Sequence, residues 1–186
     1  MTPDPRLRRG FLGILPVVPF LLLAGRPLTA QEDRYFREGR FLVHEIAGFI
    51  PMPAPRVRVE TEVGSVSARP SAALEVRYRI RVRAVADDEE AARRLLEEML
   101  VSAGKSGEEI VFRGQVGRPG AERDLSAEFS LEVPAGTKEI EVITGAGNVE
   151  ARGLGGIVTL ATRGGSISAD GIGGLLRAET RAGNIE

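Results

Sequence analysis

The chain contains no cysteine and no tryptophan, and among its 186 residues only two are tyrosine. Without cysteine there are no disulfides and no thiolate metal sites. Aromatic residues make up 5% of the chain, so its interior is built from Val, Ile, Leu and Ala, which suits a thin core. His44 is the only histidine. With no serine nucleophile motif, partner carboxylate or second ligand beside it in sequence, it makes neither a catalytic nor a metal site. Charge of one sign is also lacking. The formal net charge is −1, and residues 1–30 carry Arg6, Arg8, Arg9 and Arg26 against Asp4 alone. The remainder is therefore mildly acidic, which argues against general nucleic-acid affinity. The excess of arginine over lysine reads as genome composition rather than as a binding adaptation.

Long apolar runs are confined to residues 11–24, which follow the basic stretch Arg6-Leu-Arg-Arg9. Pro16 and Pro19 interrupt that run, which is short for a bilayer span. With Pro27-Leu-Thr-Ala30 ahead of Gln31, residues 1–30 read as a secretory signal peptide cleaved after Ala30. Arg8-Arg9-Gly-Phe-Leu12 also resembles the twin-arginine export consensus, so both that route and the general secretory route fit. The expected location is periplasm, cell surface or medium.

What the chain has in quantity is repetition. Thr144-Gly-Ala-Gly-Asn-Val149, Thr162-Arg-Gly-Gly-Ser-Ile167 and Thr180-Arg-Ala-Gly-Asn-Ile185 recur at 18 residues, and Thr61-Glu-Val-Gly-Ser-Val66 stands 83 residues upstream of the first. At this period like residues fall in columns: Ile140, Val158 and Leu176; Val142, Leu160 and Ala178; Val149, Ile167 and Ile185. Polar residues alternate with them, the period-2 mark of strands with one buried face. Gly64, Gly147, Gly165 and Gly183 mark one corner of each coil; Gly153-Leu-Gly-Gly156 and Gly171-Ile-Gly-Gly174 mark the other, with Leu154 and Ile172 pointing inward. The expected fold is mainly β, a single-stack β-solenoid of 18-residue coils. A left-handed hexapeptide helix fits poorly. Sixth positions from Ile143 read Ile, Val, Gly, Ala, Ile, Gly, Glu, Ile, which breaks the aliphatic rhythm at about half of them.

Residues 55–68 match the repeat columns and read as a first coil; residues 70–137 leave the stack as an inserted strand–helix–strand excursion, and 138–186 return to regular repeats. In the excursion Leu74, Val76, Tyr78, Ile80, Val82 and Ala84 alternate with Glu75 and four arginines, a half-buried strand. A helix capped by Asp87 or Asp88 follows, with Ala92, Leu95, Leu96, Met99 and Ala103 as its apolar stripe and Gly104 as its stop. Two more strands are expected near residues 109–115 and 124–133. Residues 31–54, with Pro51 and Pro53, read as a stiff extended lead-in. The repeats stop at Glu186 midway through a coil, so the natural chain is expected to be truncated here or to have this edge covered, self-association through it being one outcome.

The recurring Thr-x-x-Gly-[Asn/Ser]-[Val/Ile]-x-Ala phrase, with the lead-in Val133-Pro-Ala-Gly-Thr-Lys-Glu-Ile-Glu-Val142, resembles the bacterial "putative adhesin" domain family of unknown function. The likeness covers roughly residues 55–186. It implies an exported or envelope-associated β-solenoid and carries no catalytic residues and no cofactor.

Arg77, Arg79, Arg81 and Arg83 line one strand face about 6.6 Å apart. They are the candidate ligand-binding residues, toward an acidic polysaccharide or lipid headgroup; the competing reading pairs them with Glu128 and Glu132 on a neighbouring strand. Glu150, Asp170 and Glu179 are the carboxylates a polysaccharide-cleaving enzyme would use, although they do not recur between coils. The expected function is a non-catalytic surface, adhesion or envelope-scaffold module, with a polysaccharide-active enzyme or a homotypic assembly module as alternatives. Its expected partner is a polysaccharide or protein of the envelope, not nucleic acid.

Overall fold

A computed structural model describes residues 31–51 and 55–186. The expected signal peptide and Pro53 lie outside the described residues. The chain is mainly β, with thirteen strands in two mixed sheets and one helix among the described residues. The strands are β1 (Gln31–Glu38), β2 (Phe41–Pro51), β3 (Arg56–Val63), β4 (Ser65–Ser71), β5 (Glu75–Ala84), β6 (Met99–Ser106) and β7 (Glu109–Val116). After them come β8 (Leu125–Pro134), β9 (Glu139–Ala146), β10 (Val149–Arg152), β11 (Ile157–Gly164), β12 (Ile167–Asp170) and β13 (Leu175–Thr180). The first sheet runs β1-β2-β5-β8-β4-β10-β12 and the second β13-β11-β9-β3-β7-β6.

The 18-residue period is visible in the pairing. In the second sheet β11 lies parallel between β9 and β13, with Val158 opposite Ile140 and Leu176, and Thr162 opposite Thr144 and Thr180. In the first, β10 lies parallel between β4 and β12, with Val149 opposite Val66 and Ile167. Each coil thus gives one strand to each sheet. The copy at residues 61–66 joins the same ladders through Thr61–Thr144. Buried residues from both sheets form one apolar cluster that includes Val149, Val158, Leu160 and Ile167. Leu176, on the β13 edge, is 38% exposed, because no strand beyond β13 covers it.

The repeat phrase has a physical basis. Each threonine turns inward at the end of its strand, where a free hydroxyl would be costly. Its Oγ1 instead donates to the corner carbonyl of the preceding coil: Thr144 to Gly64 O at 2.9 Å, Thr162 to Gly147 O at 3.0 Å, Thr180 to Gly165 O at 2.8 Å. The Asn or Ser after each glycine continues the ladder at the surface. Asn148 Oδ1 accepts from Ser166 N–H at 2.9 Å, and Ser166 Oγ accepts from Asn184 N–H at 3.2 Å. Glycine is required at Gly147, where φ is 150° and an added Cβ would sit 2.2 Å from Gly64 O.

Three expectations outside the repeats are corrected. Residues 31–54 are more than a lead-in: β1 and β2 form an antiparallel hairpin on the edge of the first sheet. The helix α1 (Glu89–Glu97) is capped by Asp88, whose Oδ1 accepts from Ala91 N–H at 2.7 Å, but it ends seven residues before Gly104. Met99 and Ala103 belong to β6, which pairs antiparallel with β7; this pairing outweighs the local helical pattern. Leu74 lies outside β5 and is 85% exposed.

Helix α1 packs against β2 and β5 of one sheet and β6 of the other, closing one end of the interior. The outer faces of both sheets are left open.

Candidate functional site

The outer face of the first sheet carries the arginine row. Val76, Tyr78, Ile80, Val82 and Ala84 of β5 point inward, so Arg77, Arg79, Arg81 and Arg83 share the outer face. The register places Arg77 opposite Glu132 and Arg81 opposite Glu128 on β8. The actual ion pairs are more dispersed. Arg83 lies 3.4 Å from Glu128 and 3.2 Å from Glu38; Arg81 lies 3.1 Å from Glu38 and 3.4 Å from Glu45. Arg77 is paired with Glu75 at 2.8 Å, while Glu132 is taken by Arg69. Arg79 is the least engaged, 61% exposed with Glu45 at 3.9 Å. Hydrogen bonds from Arg81, and secondarily Arg83, hold the Glu38 carboxyl below the usual carboxylate range.

Glu45 is the one buried carboxylate on this face. It is paired with Arg34 as well as with Arg81, and the guanidinium groups of Arg34 and Arg81 each sit 5.6 Å from the Phe36 ring centre. Charge, ring and strand edge therefore lock β1 onto β2 and β5, so this half of the row is structural. Such pairs contribute little each at an exposed face, roughly 0–1 kcal/mol.

The other half borders a trough. Crossing the sheet from β2 to β10, one outward row reads Ala47, Arg79, Ser130, Ser67 and Glu150. Three of these are small, whereas the next row contains Phe49, Arg77, Glu132 and Arg69. The short side chains leave a cavity of about 730 Å³ between taller neighbours. Arg77 and Arg79 are thus brought to a recess; Arg81 and Arg83 are not among its lining residues. A polar polymer lying across the strands fits a trough of this shape, with Arg79 available to an anion and the serines to hydroxyls.

The remaining candidates are dispersed. Glu150 is paired with Arg152 at 2.5 Å, Asp170 sits on β12 opposite Arg152, and Glu179 belongs to the second sheet. His44 is paired with Asp33 and stacked on Tyr35, with ring centres 4.2 Å apart; among the described residues no hydroxyl is hydrogen bonded to it. Asp33 and Tyr35 sit on the strand adjoining His44, a partnership set by a hairpin that the sequence reading did not anticipate. Among the described residues no cluster of three or more acidic or histidine side chains could hold a metal ion, and no helix is long and apolar enough to cross a membrane.

No protein-family model and no curated protein matches the chain. Among solved structures, a "putative cell adhesion protein" from Clostridium sporogenes is similar at 6% identity, over 84% of this chain and 97% of its own, with a TM-score of 0.39. "Putative adhesin" structures from Parabacteroides distasonis (8% identity, 80% and 70% covered, TM-score 0.29) and Bacteroides fragilis (8%, 80% and 97%, TM-score 0.28) are also similar. Likeness at this level assigns neither a fold nor a role to the chain.

Proposed function

We propose that the protein is a non-catalytic, exported module of the cell surface or envelope, built on a β-solenoid and acting in adhesion or as a scaffold. The observation that supports this most is the in-register stacking of successive coils, which makes a stiff body with a dry interior and two broad polar walls. On those walls the recesses are shallow and open, suited to holding an extended partner rather than enclosing a reacting group. The basic-then-apolar character of residues 1–30 supports export. Self-association belongs to the same reading: in this chain β13 presents an unpaired edge beside Leu175 and Ile185, which are 52% and 49% exposed.

The test begins with expression of the full chain in a Gram-negative host and N-terminal sequencing of the product. The expected mature protein starts at Gln31 and is found outside the cytoplasm. It is then mixed with insoluble envelope polysaccharides, and both co-sedimentation and new reducing ends are measured. Co-sedimentation without new reducing ends is the expected result. Uncleaved, cytoplasmic protein would remove the export reading, and steady release of reducing ends would replace the scaffold with an enzyme.

A further inference from the structure

The second sheet has a recess of its own, about 430 Å³, on its outer face near the glycine corner. Two outward rows meet there. One runs Arg113, Glu60, Ile143, Ala161, Glu179 from β7 to β13, following the strand register. The other follows the threonine row by one residue and includes Glu62, Gly145, Arg163 and Arg181. Its small members, Ala161 and Gly145, leave the depression, and Ile143 gives it an apolar floor at 36% exposure.

Arg163 and Arg181 occupy equivalent positions on adjacent coils, so their backbones lie about 4.8 Å apart. Like charges placed side by side on neighbouring strands are unfavourable unless something neutralises them. Elsewhere on the sheets arginines are neutralised within the fold: Arg58 pairs with Glu60 and Glu141, Arg69 with Glu132, Arg113 with Glu60. Neither Arg163 nor Arg181 has a carboxylate within 4.0 Å among the described residues. Arg163 leans instead over the bare backbone of Gly145, its Nη2 3.0 Å from where a Cβ there would be. A side chain at position 145 would collide with it and with Glu62 O.

The remaining groups narrow the ligand. Arg58 and Arg113 hold the Glu60 carboxyl below the usual carboxylate range, so it stays an anion. Glu62 accepts the Val116 N–H at 2.8 Å and has lone pairs to spare, and Glu179 also borders the recess. The recess therefore offers a doublet of guanidinium donors, carboxylate acceptors for hydroxyl groups, and an aliphatic floor. A membrane surface or an acidic peptide would set its anions against Glu60, Glu62 and Glu179 without supplying hydroxyls. An acidic sugar supplies all three complements: a carboxylate for the arginines, hydroxyls for the glutamates, and a ring C–H face for Ile143 and Ala161.

We propose that this recess binds the uronate units of an acidic polysaccharide, with Arg163 and Arg181 clamping the sugar carboxylate. The site narrows the ligand of the envelope module proposed above and rests on that reading for its setting.

The experiment titrates the mature chain with oligogalacturonate at low salt by calorimetry, beside its methyl ester and poly-glutamate of matched length. Oligogalacturonate is expected to bind, the neutral ester at least tenfold more weakly, and poly-glutamate at least tenfold more weakly. Arg163→Ala with Arg181→Ala is expected to weaken oligogalacturonate binding tenfold or more without moving the thermal midpoint, since both side chains are exposed. The paired lysine variant should fall between, because lysine keeps the charge and loses the bidentate fork. Arg79→Ala, on the opposite wall, should leave binding unchanged. No binding, binding indifferent to the double alanine variant, or equal binding of poly-glutamate would each overturn the site. Binding that depends on both arginines but is accompanied by new reducing ends would support the site while removing the non-catalytic reading.

Discussion

Gly147→Ala is expected to lower the free energy of unfolding by about 3–4 kcal/mol, the range in which positive-φ strain and an unavoidable backbone clash combine. At φ 150° an alanine is strained before any neighbour is considered. Its methyl would also stand 2.2 Å from Gly64 O and 2.8 Å from Ser65 N, both backbone atoms of the coil below, so no rotamer change relieves the contact. The strands must separate, and the Thr144 hydroxyl bond to Gly64 O at 2.9 Å would be disturbed with them. Gly155→Ala is the matched control. It sits in the other corner without positive φ, and its added Cβ would approach Ala135 O no closer than 4.0 Å. Its expected cost is under about 1 kcal/mol. Urea unfolding followed by circular dichroism measures both. Equal midpoints for the two variants would mean that the corners do not stack.

Phe129→Ala is expected to cost about 3–5 kcal/mol, the usual range for removing a fully buried phenylalanine. Phe129 on β8 is 0% exposed and lies between Ile80 and Val66 in its own sheet. Its ring reaches across the interior to β7, where Cζ lies 2.8 Å from where a Cβ on Gly114 would be. Gly114 is therefore bare because the aromatic ring occupies its side-chain space. The loss should appear as a lower denaturation midpoint. An effect below about 1 kcal/mol, typical of an exposed site, would show that the two sheets do not meet through this ring.

The coils were legible in the sequence for a plain physical reason. A fixed 18-residue step returns each residue to the same environment, so Ile140, Val158 and Leu176 repeat in kind, and the glycine corners repeat with them. The hairpin of β1 and β2 belongs to no repeat. Nearly every residue of β1 is exposed on both faces, so no alternation marks it, and its strand geometry comes from pairing with β2 alone. The helix was extended too far because Met99 and Ala103 continue the spacing of Ala92, Leu95 and Leu96; only the partner strand β7 shows that these residues belong to an edge strand.

The same contrast holds for the candidate sites. The arginine row of β5 was conspicuous because alternation displays it, but half of it is consumed by Glu38, Glu45 and Glu128, two of which lie far away in sequence. Arg163 and Arg181 stand inside the repeat phrase and carried a signal: a charge recurring at 18 residues on adjacent coils. Its meaning emerges only when Gly145, Ile143 and the engaged carboxylates of β3 are set around it.

The most direct measurement uses the absence of native cysteine. Glu141→Cys with Thr159→Cys places two thiols at directly opposed positions of β9 and β11, and Glu141→Cys with Arg177→Cys places them two strands apart. With the shortest bifunctional thiosulfonate reagent, the first pair is predicted to crosslink within each molecule in high yield under native conditions, and the second is predicted not to. Equal yields for both pairs, or no intramolecular link in the first, would contradict the stacking of one coil on the next.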